Sequence, residues 1–126
     1  MRKPVMRSDI TAAPDLPFSH AILTSGPLLF IAGQGPVDPL TGTLRPGTFE
    51  EQARLTLDNL AAVAKAGGTS LANAVKVNAY LRDMSDFAAF NKIYLEYFDS
   101  PRPARTTVQS DLPGFEVEID AVVEVS

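Results

Sequence analysis

Apolar and acidic residues alternate near the C-terminus of the chain. The apolar set is Val117, Ile119, Ala121, Val123 and Val125, and the acidic set is Glu116, Glu118, Asp120 and Glu124. Because successive side chains of a strand point to opposite faces, the pattern predicts a strand with one apolar and one acidic face. Carboxylates two residues apart on such a face are separated by about 6.5 Å, so they repel each other unless water or a cation attends them.

Five further segments have the composition of strands. They cover residues 3–7, 19–24, 28–32, 74–81 and 103–108. The continuous apolar run at 28–32 is typical of a strand that is buried on both faces, whereas apolar and polar residues alternate over 74–81. The first of the five is the weakest prediction, because its apolar positions are few.

The helical pattern begins after the third strand. Thr48, with Glu51 three residues later, forms a capping box, and Gly67-Gly68 is expected to end this helix in the left-handed conformation. Its apolar stripe consists of Phe49, Ala53, Leu57, Leu60, Ala61 and Ala64.

A second helix is predicted to start at Asp83 or Ser85 and to end before Pro101. Its buried aromatic stripe is Phe87, Phe90, Tyr94 and Phe98. At helical spacing, such a stripe indicates a packed core and not a cofactor site.

The loop at 110–115 suggests that the last two strands form a hairpin. If the hairpin is symmetric about this loop, Thr107 lies opposite Glu118 and Arg105 lies opposite Asp120. A guanidinium, a hydroxyl and a carboxylate would then share one face. Such a face could bind a small anionic molecule and move a proton on it, although Arg105 could equally form a structural ion pair with Asp120 or Glu118.

The order of elements predicts an α+β fold in which both helices pack on one face of a single sheet. Residues 1–126 are expected to form one domain. The helices cover only one face, and the apolar run at 28–32 leaves sheet surface uncovered. Oligomerisation through the second face is the simplest way to bury that surface.

Composition narrows the classes of function. The net charge is −4 and no basic run is present, so nucleic acid is not an expected partner. There is no cysteine, and His20 is the single histidine, so no metal site is expected and His20 is interpreted as structural or exposed. We find no signal peptide pattern and no apolar run of about 18 residues, which favours a cytoplasmic protein without a membrane span.

The Gly33-Gln34-Gly35 turn does not have the pattern of a phosphate loop. A nucleotide fingerprint requires a helix start after the glycines, but Pro36 and a turn follow here. The glycines more plausibly allow the backbone to pass close to a neighbouring group or a ligand.

The chain resembles the reactive intermediate deaminase family (Rid, also called YjgF). The resemblance is carried by residues 16–21, 32–42, 57–67, and 103–108 joined to 117–119. The last part is the most specific, because a Pro-Ala-Arg start is joined to an apolar-Glu-apolar strand across a loop of this length.

The resemblance implies a chorismate-mutase-like (YjgF-type) fold assembled as a homotrimer. In that assembly the sheets form an inner barrel, the helices lie outside, and clefts lie between subunits. The implied activity is that of a 2-iminobutanoate/2-iminopropanoate deaminase. Such an enzyme hydrolyses 2-imino and 2-enamino acids to 2-keto acids and ammonia without a cofactor.

The resemblance also assigns roles to residues. Arg105 would bind the substrate carboxylate, and Glu118 would activate the hydrolytic water and move protons to the leaving ammonia. Thr107 would hold the ligand through its backbone amide, and the backbone at Gly33 would approach the ligand. Phe18 would form a wall of the pocket, at a position where many active members carry a tyrosine.

The missing phenol at Phe18 leaves alternatives open. Loss of a polar contact can cost about 1–3 kcal/mol if its partner stays unpaired, which would reduce activity or favour a more apolar substrate. A catabolic deaminase for 2-aminomuconate-like substrates would use the same mechanism. A non-catalytic, ligand-binding or chaperone-like trimer would keep the pocket without the chemistry.

Overall fold

The structure, a computed structural model, describes residues 1–9 and 16–125. The secondary-structure elements within these ranges are β1 (Lys3–Val5), β2 (Ala21–Leu23), β3 (Leu28–Gln34), α1 (Phe49–Ala66), β4 (Ala74–Leu81), α2 (Phe87–Tyr94), β5 (Ala104–Gln109) and β6 (Val117–Glu124). Short 3₁₀ turns at Leu71–Asn73 and Met84–Asp86 precede β4 and α2. The predicted order of strands and helices is therefore confirmed for the described residues.

The main sheet is mixed and has the strand order β3-β6-β4-β5. β6 is antiparallel to both β3 and β4, whereas β5 is parallel to β4. β1 and β2 do not join this sheet but form a separate antiparallel pair, so the prediction of a single sheet is wrong in this respect. The pair is attached to the domain by Arg2, which donates hydrogen bonds to the carbonyl oxygens of Ala74 and Pro101.

The core lies between one face of the main sheet and the two helices. Fully buried apolar side chains come from α1, α2, β4 and β6, which explains why their apolar residues recur with helical or strand period. Examples are Leu57, Leu60, Phe90, Tyr94, Val77, Ala79, Val117 and Ile119.

Both ends of α1 follow the sequence signals. The Glu51 amide donates to the Thr48 hydroxyl, and the Thr48 amide donates to the Glu51 carboxylate, which completes the capping box. At the other end Gly68 has the positive φ of 83°, whereas Gly67 keeps a φ of −84°. The second glycine of the pair thus provides the left-handed conformation.

α2 is shorter than predicted and does not bury its whole aromatic stripe. Phe98 lies after the helix end, yet it is buried and stacks on Tyr94 with ring centroids 4.3 Å apart. Phe87 is 37% exposed, so its predicted burial is wrong. It occupies the first turn of α2, at the rim of the core.

The second face of the sheet carries no helix. On β3 Ile31 is buried towards α1, whereas Phe30 points to the other face and is 73% exposed. The prediction that the run at 28–32 is buried on both faces is therefore wrong for a single chain, because one face of β3 has no helix packed on it. An apolar, exposed Phe30 agrees with the expectation that this face has surface left to bury.

The last two strands do not form the predicted hairpin. β4 lies between them, with Val77 next to Arg105 on one side and next to Ala121 on the other. The connection after β5 crosses the end of β4: the Ser110 amide donates to the Leu81 carbonyl, and the Arg82 amide donates to the Glu116 carbonyl. An apolar strand such as β4 is better placed in the sheet interior, where both of its edges are paired.

Glu124 is not the surface charge suggested by its place in the acidic set. Its side chain is buried, and its carboxylate accepts hydrogen bonds from the Thr24 hydroxyl and from the amides of Ser25 and Gly26. These donors, the Thr24 hydroxyl first, and the N-terminal ammonium, 3.0 Å from Oε1, lower the pKa of Glu124 from 4.5 to about 2. Glu124 thus fastens the turn before β3 to the end of β6.

The depressed pKa of Glu124 predicts an acid-dependent loss of stability. Because the folded-state pKa is below the ordinary value, the contribution of Glu124 is complete above about pH 4.5 and is lost as the pH falls towards 2. We expect Glu124→Gln to unfold at a lower denaturant concentration at pH 7 and to lose less stability between pH 4.5 and 2. Urea unfolding across this range measures both, and an unchanged pH profile in the variant would contradict the assignment.

Candidate functional site

Arg105 lies on β5, with its guanidinium in an aromatic surrounding on the helix side of the sheet. Parallel pairing places Arg105 beside Val77, whose side chain belongs to the core face. Its Nη2 donates a 2.7 Å hydrogen bond to Oδ1 of Asn91 on α2. Four ring centroids lie 4.7–5.9 Å from the guanidinium carbon, those of Tyr94, Phe90, Phe87 and Phe18. Ring faces at these distances attract a cation.

The Arg105 guanidinium has no counterion in the part of the chain that the structure describes. No carboxylate there forms an ion pair with it, so the alternative of a structural ion pair with Asp120 or Glu118 is wrong within one chain. Desolvation lowers the pKa of Arg105 below its ordinary value, but an arginine remains a cation at neutral pH. A half-buried cation that lacks an anion is a suitable group to receive one from a ligand.

The cation and two residues near it have polar atoms without hydrogen-bond partners. Nη1 of Arg105, Oγ1 of Thr107 and the hydroxyl of Tyr94 are buried, and none has a hydrogen-bond partner among the described residues. Buried donors without partners are rare, because each costs about 1–3 kcal/mol. Arg105 and Thr107 lie on the same face of β5, so their free donors can be satisfied by the oxygens of one small ligand or by water.

Phe18 reaches the guanidinium because its segment is bound to the loop before β5. The Ser19 amide donates to the Pro103 carbonyl, and the buried Ser19 hydroxyl donates to the Arg102 carbonyl. Arg102 in turn donates through Nη1 to the carbonyl of Leu16. Phe18 is thus held beside Arg105, where a wall of a pocket around the guanidinium would lie. His20, two residues later, accepts a hydrogen bond at Nδ1 from the Arg7 amide and does not belong to this group of side chains.

Glu118 occupies the other face of the sheet. It lies on β6 directly opposite Tyr80 of β4, on the side that carries no helix. Gly33 of β3 approaches it so closely that a Cβ on Gly33 would lie 2.6 Å from Glu118 Oε2. A side chain at this position would displace the Glu118 carboxylate, and the expected close approach of the Gly33 backbone to a neighbouring group is confirmed.

The segment that follows Gly33 is held by α1. Nδ2 of Asn59 donates to the carbonyl oxygens of Gly35 and Val37, at 3.0 and 2.9 Å. The ladder between β3 and β6 shifts its register between Ile31 and Gln34, which moves the Gly33 backbone towards Glu118.

The five residues predicted for the site thus separate into two groups. Phe18, Arg105 and Thr107 lie on the helix side of the sheet, whereas Gly33 and Glu118 lie on the open side. The prediction that Arg105, Thr107 and a carboxylate share one face is wrong, because it depended on the hairpin. Asp120 shares the open face with Glu118, as predicted, and binds Asn78 and Tyr80.

The sequence predicts Tyr94 as part of the aromatic core stripe and gives Asn91 no specific role. Both face Arg105 from α2, together with Phe87 and Phe90. The signal was present in the spacing, since positions 87, 90, 91 and 94 lie on one face of a helix. A single amide within an otherwise aromatic stripe indicates a buried polar partner, which here is Arg105.

Residues 1–9 and 16–125 also bear on metal binding and on membrane insertion. No group of three or more His, Cys, Asp or Glu side chains is arranged to hold a metal ion there. Among the same residues, no helix is both long and apolar enough to cross a bilayer.

Comparison with known proteins identifies relatives over most of the chain. A RutC family protein from Pyrococcus horikoshii is 43% identical over 122 residues, which cover 95% of this chain and 96% of that protein. A protein from Capra hircus named 2-iminobutanoate/2-iminopropanoate deaminase is 41% identical over 108 residues, covering 84% of this chain and 78% of the relative. A crystal structure of a Rid family protein of unknown function from Yersinia pestis, 27% identical, has a TM-score of 0.83 and covers 98% of both chains.

The profile of one family matches almost the whole sequence. The match extends over residues 10–125, and the family is described as Endoribonuclease L-PSP. Relatives named as deaminases support an enzymatic role for the family in general. The main sheet, both helices and both groups of predicted site residues lie within the matched region. The chain therefore belongs to the Endoribonuclease L-PSP family, also known as YjgF or Rid.

Proposed function

We propose that this protein is a cofactor-independent deaminase that hydrolyses small 2-imino and 2-enamino acids to 2-keto acids and ammonia. The observation that carries the proposal is the buried, unpartnered Nη1 of Arg105, next to the unpartnered hydroxyl of Thr107. A carboxylate of the substrate would satisfy both. Two relatives at about 40% identity are named for this activity, which supports the same substrate class here.

In the proposed reaction, Arg105 binds the substrate carboxylate and Glu118 acts on water. Glu118 takes a proton from the water as its oxygen bonds to C2, and returns it to the nitrogen that receives the electrons of the C=N bond, which gives a neutral carbinolamine. Glu118 then takes the proton of the carbinolamine hydroxyl and passes it to nitrogen as the C–N bond breaks, so that the 2-keto acid and ammonia form. The cationic Arg105 keeps the carboxylate, and with it C2, in a fixed position during both steps.

This reaction requires two copies of the chain. Arg105 and Glu118 project from opposite faces of the sheet. One copy would therefore supply Arg105, Thr107 and Phe18, and the next copy would supply Glu118 and Gly33. The exposed, apolar Phe30 on the open face supports association through that face. A closed homotrimer with clefts between subunits, located in the cytoplasm, is part of the proposal.

The aromatic surrounding of Arg105 bears on the choice of substrate. Phe18 and Phe87 offer apolar surface beside the carboxylate position, which favours imines with apolar side chains over a 2-aminomuconate-like diacid. A non-catalytic ligand-binding or chaperone-like trimer would need Arg105 but not Glu118. Substituting each of these two residues therefore separates binding from catalysis.

The description of the family suggests a ribonuclease activity. The net charge of this chain and the carboxylates on its open face support that activity less well than a deaminase. The net charge is −4, and the open face of the sheet presents Glu118 and Asp120. A polyanionic RNA would be repelled by that face, whereas a small monocarboxylate needs only the one arginine.

Substitution of Arg105 tests the substrate clamp. With an amino-acid oxidase generating 2-iminopropanoate and semicarbazide trapping it, wild-type protein should compete with the trap and lower semicarbazone formation. We expect Arg105→Ala to lower kcat/KM by about 10- to 100-fold, since a charge-assisted hydrogen bond contributes about 1.5–3 kcal/mol. Arg54→Ala, which removes an exposed arginine from α1, should compete like wild type. Full activity of Arg105→Ala would refute the assignment.

Mixing two impaired variants tests whether the site is shared between copies. Arg105→Ala and Glu118→Gln should each keep at most about a tenth of wild-type activity alone. Oligomers formed from equal amounts of both should recover about a quarter of wild-type activity, because random assembly pairs an intact arginine with an intact glutamate in that share of clefts. Verified mixed oligomers without recovered activity would show that both residues act within one chain.

Asn91 is expected to hold Arg105 in its binding orientation. Asn91→Ala removes the acceptor of Nη2, so KM should rise several-fold while kcat changes less. Asn91→Asp should raise KM further, because its carboxylate would compete with that of the substrate for Arg105. Asn73→Ala, which removes an amide that donates to the Thr69 hydroxyl in the connection between α1 and β4, is the matched control for steady-state kinetics. An equal loss for Asn91→Ala and Asn91→Asp would contradict the positioning role.

A further inference from the structure

Both carboxylate oxygens of Asp120 are occupied by side chains of β4. Asn78, directly opposite Asp120, donates from Nδ2 to Oδ1 at 2.9 Å. Tyr80 is directly opposite Glu118, yet its hydroxyl donates diagonally to Oδ2 of Asp120, also at 2.9 Å. The phenol is therefore fixed in direction by a residue other than its nearest cross-strand neighbour.

Glu118 has no hydrogen-bond partner of its own among the described residues. It is close enough to Tyr80 for its charge to raise the pKa of the phenol, after the larger effects of the Asp120 hydrogen bond and of desolvation. The hydroxyl oxygen of Tyr80 keeps free lone pairs when its proton is donated to Asp120. One face of the sheet thus carries a free carboxylate and, beside it, a free acceptor oxygen with a fixed orientation.

We propose that Tyr80 is a second hydrogen-bonding residue for the hydrolytic water, and that Asp120 and Asn78 are positioning residues that aim its oxygen. This inference rests on the proposed deaminase function and adds a residue to the Glu118 part of the site. The water would donate one hydrogen to Glu118 and the other to the Tyr80 oxygen.

The proposed step balances without a change in the protonation of Tyr80. As the water oxygen bonds to C2, one proton passes to Glu118 and from there to the nitrogen. The other proton stays on the oxygen, hydrogen-bonded to the Tyr80 oxygen, until the carbinolamine collapses, when Glu118 takes it and passes it to the leaving nitrogen. Tyr80 keeps its own proton, donated to Asp120, throughout.

Tyr80 is the tyrosine that is suitably placed for this role. The chain has three tyrosines. Tyr94 is buried on the helix side, and the hydroxyl of Tyr97 donates to Asp58 of α1. Phe18 offers no hydrogen-bonding group. Tyr80 therefore provides a phenol on the face of Glu118.

The charged groups around Tyr80 come from two strands. β6 contributes Glu118 and Asp120, and β4 contributes Lys76, which is bonded to Thr106 of β5. Arg82, the next residue after β4, forms an ion pair with Glu116 at 3.6 Å. On β5, the residue paired with Tyr80 is Val108, which carries no charge. The two carboxylates are the nearest charges, so ionisation of the phenol beside them is unfavourable.

The test compares two tyrosine-to-phenylalanine variants that each remove one Tyr–Asp hydrogen bond. In the semicarbazide competition assay, Tyr80→Phe should lower kcat about tenfold and change KM less than about twofold, because Arg105 is intact. Tyr97→Phe, which loses the bond to Asp58 on the helix side, should keep wild-type kcat. Equal kcat for Tyr80→Phe and wild type would overturn the inference.

A double-mutant cycle separates positioning from a general structural effect. Asp120→Asn should lower kcat several-fold with little change in KM, because the Tyr80 hydroxyl is no longer held in direction. In the Tyr80→Phe background Asp120→Asn should cause no further loss of kcat, whereas a merely structural role would lower kcat by the same factor in both backgrounds. If wild type and Arg105→Ala are equally inactive, the proposed function itself fails and takes the inference with it. If only Arg105→Ala is impaired and the effects of Asp120→Asn and Tyr80→Phe are independent, the inference alone is wrong.

Discussion

The parallel pairing of β5 with β4 determines where each candidate side chain points. In a sheet, residues that lie side by side on paired strands share a face, so Arg105 takes the face of Val77 and Thr107 that of Ala79. β6 pairs with the other edge of β4 and presents Glu118 on the face of Tyr80. One strand in the middle therefore assigns the cation and the carboxylate to opposite sides, and the proposed need for two copies follows from this pairing.

Arg105 is held in an environment that does not neutralise it. Moving an isolated charge out of water is costly, and the described residues offset this cost with one amide and four aromatic ring faces. A carboxylate in the same position would form a stronger pair but would also occupy the binding group. The observed arrangement keeps the arginine ordered and leaves Nη1 available, which suits a site for a small anion.

The open face combines polar residues near one end of β4 and β6 with apolar residues near the edge strand β3. Glu118, Tyr80 and Asp120 form the polar part, and Phe30 is the most exposed apolar side chain of the sheet. Gly33 lies between the two parts, because the register shift in β3 brings its backbone against Glu118. A neighbouring copy seated on Phe30 would therefore also approach the candidate catalytic carboxylate.

The sequence by itself determined the elements and the residue types of the site. Capping residues, helical stripes and strand alternation are local signals, so α1, β4 and β6 were predicted close to their observed bounds, and the motif around Arg105 and Glu118 identified the family. Pairing is not local. Nothing in the spacing of residues 103–125 states that β4 lies between the last two strands, and the prediction of a hairpin therefore put Arg105 and Glu118 on one face. Only the tertiary structure decided that they lie on opposite faces, that Asn91 and Tyr94 contact Arg105, and that Glu124 is buried, because each depends on contacts between segments distant in sequence.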